Sequence, residues 1–324
     1  MKKDAVIGID IGATFTKFAV IDRMANVLAE GVIPTDHTDD VNEYLKDLTQ
    51  SVDEKIKKVE DHTVIKGIGI GAPNGNYKNG CIEFAANLKW THGKVIHLVQ
   101  LLRKHYPMPI AVTNDANAAA LGEMIYGGAK GMKDFILITL GTGLGSGLVA
   151  NGELLYGHDG FAGEIGHVRA KDNGRVCACG RRGCLETYVS APGIKRTVFE
   201  LLAEYIEPSE LRGYSFGDLT SEIIYHAATR GDSIALKAFE VTGEILGVKL
   251  ADAVAHTSPE CIFLFGGLAK AGDYILKPTR ESFEKSLLKN YQGKIPIVLS
   301  SLPEGNVAVL GASALIWQEI NIAG

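Results

Sequence analysis

The same succession of strands and turns occurs twice in this chain. Residues 5–10 (AVIGID) form an apolar run typical of a buried strand, and a Gly/Thr turn and two more strand-like runs follow it, up to residue 33. A second copy begins with 135–140 (FILITL), continues through the turn GTGLGSG at 141–147 and ends near residue 155. We interpret this pattern as an internal duplication of one supersecondary unit. The alternative is two unrelated hairpins, because glycine turns between strands are common.

Strand and helix patterns alternate along the rest of the chain. At residues 39–59 apolar side chains recur at spacings of three and four, which predicts an amphipathic helix with Thr38 or Asp39 as its N-cap. The alternation is typical of the α/β class. Further strands are expected at 64–70, 110–113, 260–265 and 295–299, and further helices at 116–126, 191–205, 232–256, 273–288 and 306–320.

The length of the chain predicts two domains. Its 324 residues exceed the roughly 250–300 residues at which a single core usually stops growing. We place an N-terminal α/β domain at residues 1–115, completed by the last helix at about 306–324, and a C-terminal α/β domain at 116–305. No Pro/Ser-rich linker is present, so ordered crossings are expected to join the domains.

Charge and hydropathy exclude several classes of protein. The net charge of −5 argues against a protein whose main task is to neutralise nucleic-acid phosphates. No apolar stretch reaches the roughly 20 residues of a membrane helix, and the first apolar run, broken by Asp10, is too short for a signal peptide. We therefore expect a cytoplasmic protein without membrane or nucleic-acid partners. Cysteines are usually reduced in that compartment, so a cysteine cluster favours a metal site.

Two glycine turns, one in each repeat, are candidate phosphate sites. The first, DIGATFTK at 10–17, combines a strand-end carboxylate with backbone N–H groups, hydroxyls and a lysine, which suit phosphate oxygens and hydrated Mg²⁺. The second, at 141–147, contains four glycines, a threonine and a serine. No helix follows it and no GxxxxGK[ST] is present, which argues against a Rossmann turn and a P-loop. One such turn alone is as readily a simple hairpin, but two facing turns are able to hold one nucleotide tail.

A cluster of cysteines predicts a zinc site. Cys177, Cys179 and Cys184 fall within eight positions, and His167 lies ten residues upstream. Three thiolates and one imidazole complete a tetrahedral Zn²⁺ site without an open position, so the metal is expected to be structural. The alternative is a set of small buried residues.

Carboxylates and amides near these motifs are candidate ligands for a polyhydroxyl substrate. Glu164 and Glu186 flank the zinc ligands, and a bound metal would fix both in space. Asp115 lies at a predicted strand-to-helix junction, where a general base is able to meet a substrate. Asn87 and Asn114 complete the set. For any one of these residues alone, a helix cap or a surface position is the alternative.

The chain resembles the ROK family (repressors, open reading frames and kinases) of the actin-like sugar-kinase superfamily, and looks most like the bacterial glucokinases of that family. The paired GEIGH and CACGRRGCLE segments are the most specific part of this resemblance. The similarity runs nearly end to end and includes DIGATFTK at 10–17, GIGIGAP at 67–73, AANLKW at 85–90, TNDANAAALGE at 113–123, LGTGLGSG at 140–147, GEIGH at 163–167, CACGRRGCLE at 177–186 and FGGLA at 265–269.

The resemblance implies a two-domain actin-like (ribonuclease H-like) sugar kinase fold with a cleft between the domains. It implies ATP, Mg²⁺ and structural Zn²⁺ as cofactors, with a zinc-binding segment at 163–186. Asp115 would be the base that takes the proton of the sugar 6-hydroxyl. The implied sugar ligands are Asn87, Asn114, Asp115, Glu164, His167 and Glu186. The implied phosphate and Mg²⁺ residues are Asp10, Gly12, Thr14, Lys17, Thr142 and Gly143, with Gly266 and Gly267 at the adenosine. The implied zinc ligands are His167, Cys177, Cys179 and Cys184.

Two departures from the family pattern leave the identity of the sugar open. Where the family often has Pro-Gly, this chain has Pro73-Asn74-Gly75, and Leu88-Lys89-Trp90 lacks a usual glycine before the tryptophan. D-Glucose is the expected substrate, and N-acetylmannosamine or another hexose is the alternative. Family repressors carry a DNA-binding head before the first strand, and the turn at Asp10 leaves no room for one, so a repressor is not favoured. A homo-oligomer, either a dimer or a tetramer, is expected.

Overall fold

A computed structural model of the protein describes residues 2–302 and 307–323. The described chain divides into two compact units, each with its own five-stranded sheet. No helix within these ranges is both long and apolar enough to span a bilayer. Unit 1 comprises Met1–Gly131, Leu154–Ala162 and Ser301–Gly324, and unit 2 comprises Met132–Glu153 and Gly163–Ser300.

Unit 1 is built on a mixed sheet. Its strands are β1 (Lys3–Ile11), β2 (Phe15–Asp22), β3 (Val27–Pro34), β4 (Thr63–Gly71), the short β5 (Gly75–Asn76), β6 (Cys81–Glu83) and β7 (Val95–Ile96), and β8 (Ile110–Thr113). Its helices are α1 (Val41–Val59), α2 (Leu98–Leu102), α3 (Asp115–Tyr126) and, at the end of the chain, α8 (Val307–Ala323). The main sheet has the order β3-β2-β1-β4-β8. Within it β1 is antiparallel to β2 and parallel to β4, and β4 is parallel to β8.

Helix α8 lies directly on this sheet. A Cβ atom added to Gly8 of β1 would lie 2.1 Å from the carbonyl oxygen of Val309, and one added to Gly69 of β4 would lie 1.8 Å from that of Ala312. Both distances are too short for any side chain, so these strand positions require glycine. The glycines in the first and fourth strands therefore let the last helix complete the core of unit 1.

Unit 2 contains four α-helices and the second sheet, although Leu154 of the edge strand β11 is assigned to unit 1. These elements are β9 (Phe135–Leu140), β10 (Leu144–Ala150), β11 (Glu153–Leu154), α4 (Ala191–Glu204), α5 (Ser221–Thr229), α6 (Ser233–Thr257), β12 (Cys261–Phe265), α7 (Asp273–Ser286) and β13 (Ile297–Leu299). The sheet has the order β11-β10-β9-β12-β13, with β9 antiparallel to β10 and parallel to β12. Gly247 lets α6 and α7 approach closely, since an added Cβ would lie 2.4 Å from the carbonyl oxygen of Thr279.

The two sheets have the same strand order, and the four strands β2-β1-β4-β8 have the same relative senses as β10-β9-β12-β13. In each, an antiparallel hairpin (β1–β2 or β9–β10) is extended on one side by a third strand and on the other by two parallel strands. This correspondence is what an internal duplication requires, and it supports that interpretation over two unrelated hairpins. The α/β class is confirmed.

The division into units differs from the boundary predicted after residue 115. Helix α3 belongs to unit 1 and packs on α8, where an added Cβ on Gly311 would lie 2.1 Å from the carbonyl oxygen of Ala118. Residues 154–162 also belong to unit 1. Both assignments depend on packing between distant parts of the chain, which local periodicity does not contain.

Several local predictions need correction. The N-cap of α1 is Asp40, whose Oδ1 accepts a hydrogen bond from the N–H of Asn42 at 2.8 Å, rather than Thr38 or Asp39. Helices α2 and α5 and the small β5-β6-β7 sheet were not predicted, because each is short and has no extended apolar period. Residue 306, the predicted start of the last helix, lies outside the described residues.

Candidate active site

Asn114 and Asp115 lie at the junction of β8 and α3. Asn114 is the N-cap, and its Oδ1 accepts a hydrogen bond from the N–H of Asn117 at 2.7 Å. Asp115 is the first helical residue, and its Oδ1 accepts one from the N–H of Ala116 at 2.9 Å. Its side chain is exposed to solvent, yet the protein around the carboxyl group disfavours the charged form and raises its pKa. A carboxylate that is reachable and has a raised pKa is suited to accept a proton.

Asp10 lies beside Asp115 in unit 1. It is the penultimate residue of β1, opposite Lys17 on β2 and Gly71 on β4. A Cβ added to Gly71 would lie 3.9 Å from the Cα of Asp115, so the two carboxylates are neighbours. Burial, and then the negative charge of Asp115, raises the pKa of Asp10 to about 6, although Lys17 opposes this shift. A paired arrangement of this kind favours a nearby cation.

The turn after Asp10 presents polar groups to solvent. Thr14 and Lys17 are exposed and Gly12 is half-buried. The N–H of Gly12 donates to the carbonyl oxygen of Phe15 at 3.0 Å, so this donor closes the turn. Lys17 and the hydroxyl of Thr14 are therefore the groups of this turn best placed to meet an anion.

Asn87 lies on an exposed turn that a buried threonine closes. The Oγ1 of Thr91 is 2.9 Å from the carbonyl oxygen of Ala85 and 2.8 Å from that of Leu88, on either side of Asn87. Lys89 stands where the family often has glycine. It begins a short 3₁₀ helix, Lys89–Thr91, and its φ is not positive. The missing family glycine therefore causes no backbone strain here.

Asn74 preserves the conformation of a glycine. Its φ is 53°, in the left-handed region that asparagine tolerates better than most residues. Its Nδ2 donates to the carbonyl oxygen of Glu83 at 2.8 Å. Asn74 thus occupies a backbone conformation that glycine also adopts readily, and its side chain is linked to β6.

In unit 2, the glycine turn between β9 and β10 is joined to Glu186. The backbone N–H of Leu144 donates to the Oε2 of Glu186 at 3.0 Å. A Cβ added to Gly143 would lie 2.5 Å from the same oxygen, which explains glycine at this position. Thr142 at the tip of the turn is exposed. One candidate sugar ligand and one candidate phosphate turn therefore form a single structure.

The four predicted zinc ligands converge. Their donor atoms all lie within 4.8 Å of one another. The Sγ atoms of Cys179 and Cys184 are 3.6 Å apart, and the Sγ of Cys177 is 3.7 Å from the Nδ1 of His167. With Zn–S bonds of about 2.3 Å, ligand atoms of a tetrahedral zinc are roughly 3.5–3.8 Å apart. The donor set and its spacing therefore fit zinc.

The segment that carries Glu164 and His167 begins at a glycine that is hydrogen-bonded to the sheet. Gly163 has a φ of 93°, and its carbonyl oxygen accepts a hydrogen bond from the hydroxyl of Ser146 on β10. Glu164 is exposed and immediately precedes the 3₁₀ helix Ile165–His167. A strand of the sheet thus positions the start of the zinc segment.

Arg175 is a residue that the sequence did not single out. Its guanidinium donates to the carbonyl oxygen of Thr187 at 2.7 Å, to that of Gly193 at 2.9 Å and to Glu200 on α4 at 2.8 Å. Its side chain is only 9% exposed. Because Thr187 directly follows Glu186, this arginine ties the zinc segment to a helix of the core.

Gly267 borders a cavity of about 380 Å³ in unit 2, and Gly266 directly precedes it in the chain. Gly266 has a φ of 104°, and an added Cβ would lie 2.6 Å from the carbonyl oxygen of Leu140. Tyr225 and His226 of α5 line the opposite wall. These two residues were not predicted, because α5 itself was not.

The predicted residues thus form two sets, each within one unit. The contacts described above join Asp10 to Asp115 in unit 1, Glu186 to the glycine turn in unit 2, and the four zinc-ligand candidates to one another. Unit 1 holds Asp10, Gly12, Thr14, Lys17, Asn87, Asn114 and Asp115. Unit 2 holds Thr142, Gly143, Glu164, His167, Cys177, Cys179, Cys184, Glu186, Gly266 and Gly267.

Comparison with known families matches residues 6–319 to the model of the ROK family. The chain belongs to the ROK family. The resemblance noted from its motifs is therefore confirmed, and the match spans both units.

Two kinds of ROK protein are among the relatives. A glucokinase of Halalkalibacterium halodurans is 36% identical over 323 residues, which cover 97% of this chain and 96% of the relative. The crystal structure of a ROK family glucokinase from Streptomyces griseus, in complex with glucose and AMPPNP, has a TM-score of 0.78 and 29% identity and covers 97% of this chain and 99% of that one. A ROK family transcriptional regulator, a homologue of the E. coli MLC protein, has a TM-score of 0.86 and 26% identity, with 98% of this chain but 78% of the regulator covered. The predicted actin-like sugar kinase fold is confirmed.

Proposed function

We propose that this ROK protein transfers the terminal phosphoryl group of ATP to the 6-hydroxyl of D-glucose. The observation that carries the proposal is the solvent-exposed carboxylate of Asp115, whose pKa is raised, beside Asp10 at the strand ends of unit 1. The similarity to a glucokinase at 36% identity and to a ROK kinase bound to glucose and AMPPNP supports the choice of sugar and donor.

In this proposal Asp115 is the general base. Its Oδ1 is engaged by the N–H of Ala116, and we assign the other carboxylate oxygen to the proton of the sugar hydroxyl. The raised pKa makes the ionised carboxylate a stronger base than a solvated aspartate. The oxygen of glucose then attacks phosphorus, and ADP leaves.

Asp10, Thr14 and Lys17 would meet the phosphates together with Thr142 and Gly143, while Gly12 shapes the turn. The carboxylate of Asp10 would fit a hydrated Mg²⁺ that arrives with ATP, because burial and then the negative charge of Asp115 raise its pKa and a cation would offset both effects. Bound Mg²⁺ would supply positive charge to the phosphoryl oxygens. The cavity beside Gly267 is proposed for the adenosine.

The sugar hydroxyls are assigned to Asn87, Asn114, Glu164, His167 and Glu186. Asn114 uses its Oδ1 as a helix cap, which leaves its Nδ2 as the donor to sugar. His167 turns its Nδ1 towards Cys177, so zinc bound at Nδ1 would fix the proton on Nε2 and make that atom the donor to a hydroxyl. One histidine is thus able to serve both predicted roles.

Zinc is proposed to be structural. His167, Cys177, Cys179 and Cys184 fill four tetrahedral positions and leave none for a substrate. Bound metal would hold the chain at Cys184, two residues before Glu186, and so restrict the position of that carboxylate. A cytoplasmic location and assembly into dimers or tetramers stay predictions.

A coupled ADP-release assay with a panel of hexoses tests the function. We expect D-glucose to give the highest kcat/KM and glucose 6-phosphate to be the product. A higher kcat/KM for N-acetylmannosamine would leave the kinase assignment in place and make the sugar assignment wrong. Binding of glucose with no ADP release would favour a sugar-sensing regulator.

A further inference from the structure

The segment 35–44, which consists of the connection from β3 to α1 and the first turn of α1, supports the phosphate turn of unit 1. The N–H of Thr35 donates to the carbonyl oxygen of Thr14 at 2.8 Å. The hydroxyl oxygen of Thr35 is 2.8 Å from that of Thr16. Both threonine side chains are buried, so the turn between β1 and β2 is held by this segment from inside the protein.

The same segment supports the turn that carries Asn87. The Nζ of Lys89 donates to the carbonyl oxygen of Asp36 at 3.3 Å, and the Nε2 of His92 is 2.9 Å from that of Asp39. The turn is thus attached to the segment at both ends of the 3₁₀ helix Lys89–Thr91.

Tyr44 joins these two sets of contacts through one side chain. Its hydroxyl oxygen lies 2.7 Å from the Oγ1 of Thr16, and its ring stacks on Trp90 with centroids 4.6 Å apart and planes at 14°. Tyr44 and Thr16 are 0% exposed and Trp90 is 1% exposed. These two contacts fix the position of the tyrosine side chain. Breaking the buried hydrogen bond would leave a polar group without a partner, and separating the stacked rings would leave a void.

The hydroxyl of Tyr44 also lies near the charge of Asp10. Burial raises the pKa of this tyrosine, and the negative charge of Asp10 contributes to the shift. The tyrosine is therefore neutral at physiological pH, and its hydroxyl group forms a hydrogen bond with the hydroxyl group of Thr16. One end of the side chain faces the phosphate turn and the other faces the Asn87 turn.

We propose that Tyr44 is a positioning residue that couples the phosphate turn at 10–17 to the sugar-binding turn around Asn87. Its hydroxyl group fixes the position of the first turn through the hydrogen bond to Thr16, and its ring fixes the position of the second turn through the stack on Trp90. The proposal rests on the proposed function, which assigns ATP to one turn and sugar to the other. Tyr44 itself touches neither substrate.

Two substitutions separate the two ends of the side chain. Tyr44→Phe keeps the stack and removes the contact with Thr16, so the KM for ATP should rise about 3- to 10-fold while the KM for glucose stays within about twofold. Tyr44→Leu also removes the stack, so both KM values should rise. The control is Tyr106→Phe, which removes another buried tyrosine hydroxyl of unit 1, hydrogen-bonded to Asp53 at 2.9 Å. It should lower the melting temperature and leave both KM values unchanged.

Tryptophan fluorescence provides a readout that does not depend on turnover. The chain has two tryptophans, so Trp317→Phe leaves Trp90 as the reporter. AMPPNP and glucose should each change its emission, and Tyr44→Phe should abolish the response to AMPPNP but not to glucose. The coupling is wrong if Tyr44→Phe and Tyr106→Phe have the same KM values, or if AMPPNP leaves the emission of Trp90 unchanged. If the wild-type protein does not phosphorylate glucose, the proposed function is wrong. The fluorescence response to AMPPNP still tests the coupling in that case, because it does not require turnover.

Discussion

The carboxylate of Glu186 accepts a hydrogen bond from the backbone N–H of Leu144 at 3.0 Å. Glu186 is two residues from the zinc-ligand candidate Cys184, whereas Leu144 ends the glycine turn between β9 and β10. The contact therefore joins a proposed sugar ligand to a proposed phosphate turn within unit 2. A change in the turn should reach the sugar through this carboxylate.

Gly143→Ala tests that link. The new Cβ would lie 2.5 Å from the Oε2 of Glu186, so the carboxylate must move. We expect the KM for glucose to rise about 3- to 10-fold because one hydrogen-bond partner is displaced. Gly141→Ala is the matched control, since its Cβ would meet nothing within 4 Å. Equal glucose KM values in the two variants would show that the turn does not position Glu186.

Asp115→Asn tests the general base. Asparagine keeps the shape of the side chain but cannot accept the proton, so kcat should fall about 10²- to 10⁴-fold while glucose binding, measured by calorimetry, persists. Asp273→Asn makes the same change at the first residue of another helix, α7, outside the proposed site. It should retain full turnover. Near-normal kcat in the Asp115 variant would remove this residue from the role.

The zinc proposal predicts one metal ion per chain. Cys179→Ser should lower the zinc content, and the KM for glucose should rise with the loss because the chain around Glu186 is no longer fixed. Cys261→Ala, which removes a buried thiol from β12 outside the cluster, should keep its zinc. Full activity in a zinc-free preparation, confirmed by elemental analysis, would contradict a structural metal.

The sequence predicted the parts of the site that depend on local pattern. The turn at 10–17, the Asn114–Asp115 junction and the zinc ligands each have a recognisable spacing, and the structure brings the members of each together. The stack of Tyr44 on Trp90 depends on packing between residues far apart in the chain, and no periodicity reports it. The placement of α3 in unit 1 was missed for the same reason.

Removal of one sugar hydroxyl should expose the polarity of the pocket. The proposed ligands Glu164, His167 and Glu186 would lose a partner in 2-deoxyglucose, and a buried polar group without a partner is costly. We therefore expect kcat/KM for 2-deoxyglucose to lie below that for glucose, with the larger change in KM. Equal values for the two sugars would show that these residues do not contact the 2-hydroxyl.

The pH dependence of Asp10 should act on activity and on stability in opposite directions. Its pKa in the folded protein is about 6, against 3.8 for an unperturbed aspartate. Below pH 6 the carboxyl group becomes protonated and loses its attraction for Mg²⁺, so kcat/KM should fall as the pH falls. A carboxyl group with a raised folded pKa stabilises the fold below its unfolded pKa, and this contribution is lost as the pH rises through 6.

Asp10→Asn should therefore be catalytically weak but more stable than the wild type at pH 8, by on the order of 1–3 kcal/mol in the free energy of unfolding. The two proteins should converge near pH 4, where Asp10 is protonated in the folded wild type and no longer opposes folding. Denaturant unfolding must be measured without Mg²⁺, because a bound cation would stabilise the charged carboxylate of the wild type. If the Asn variant is no more stable than the wild type at pH 8, the charged carboxylate of Asp10 does not destabilise the folded protein. Such a result would argue against the proposal that Asp10 binds Mg²⁺.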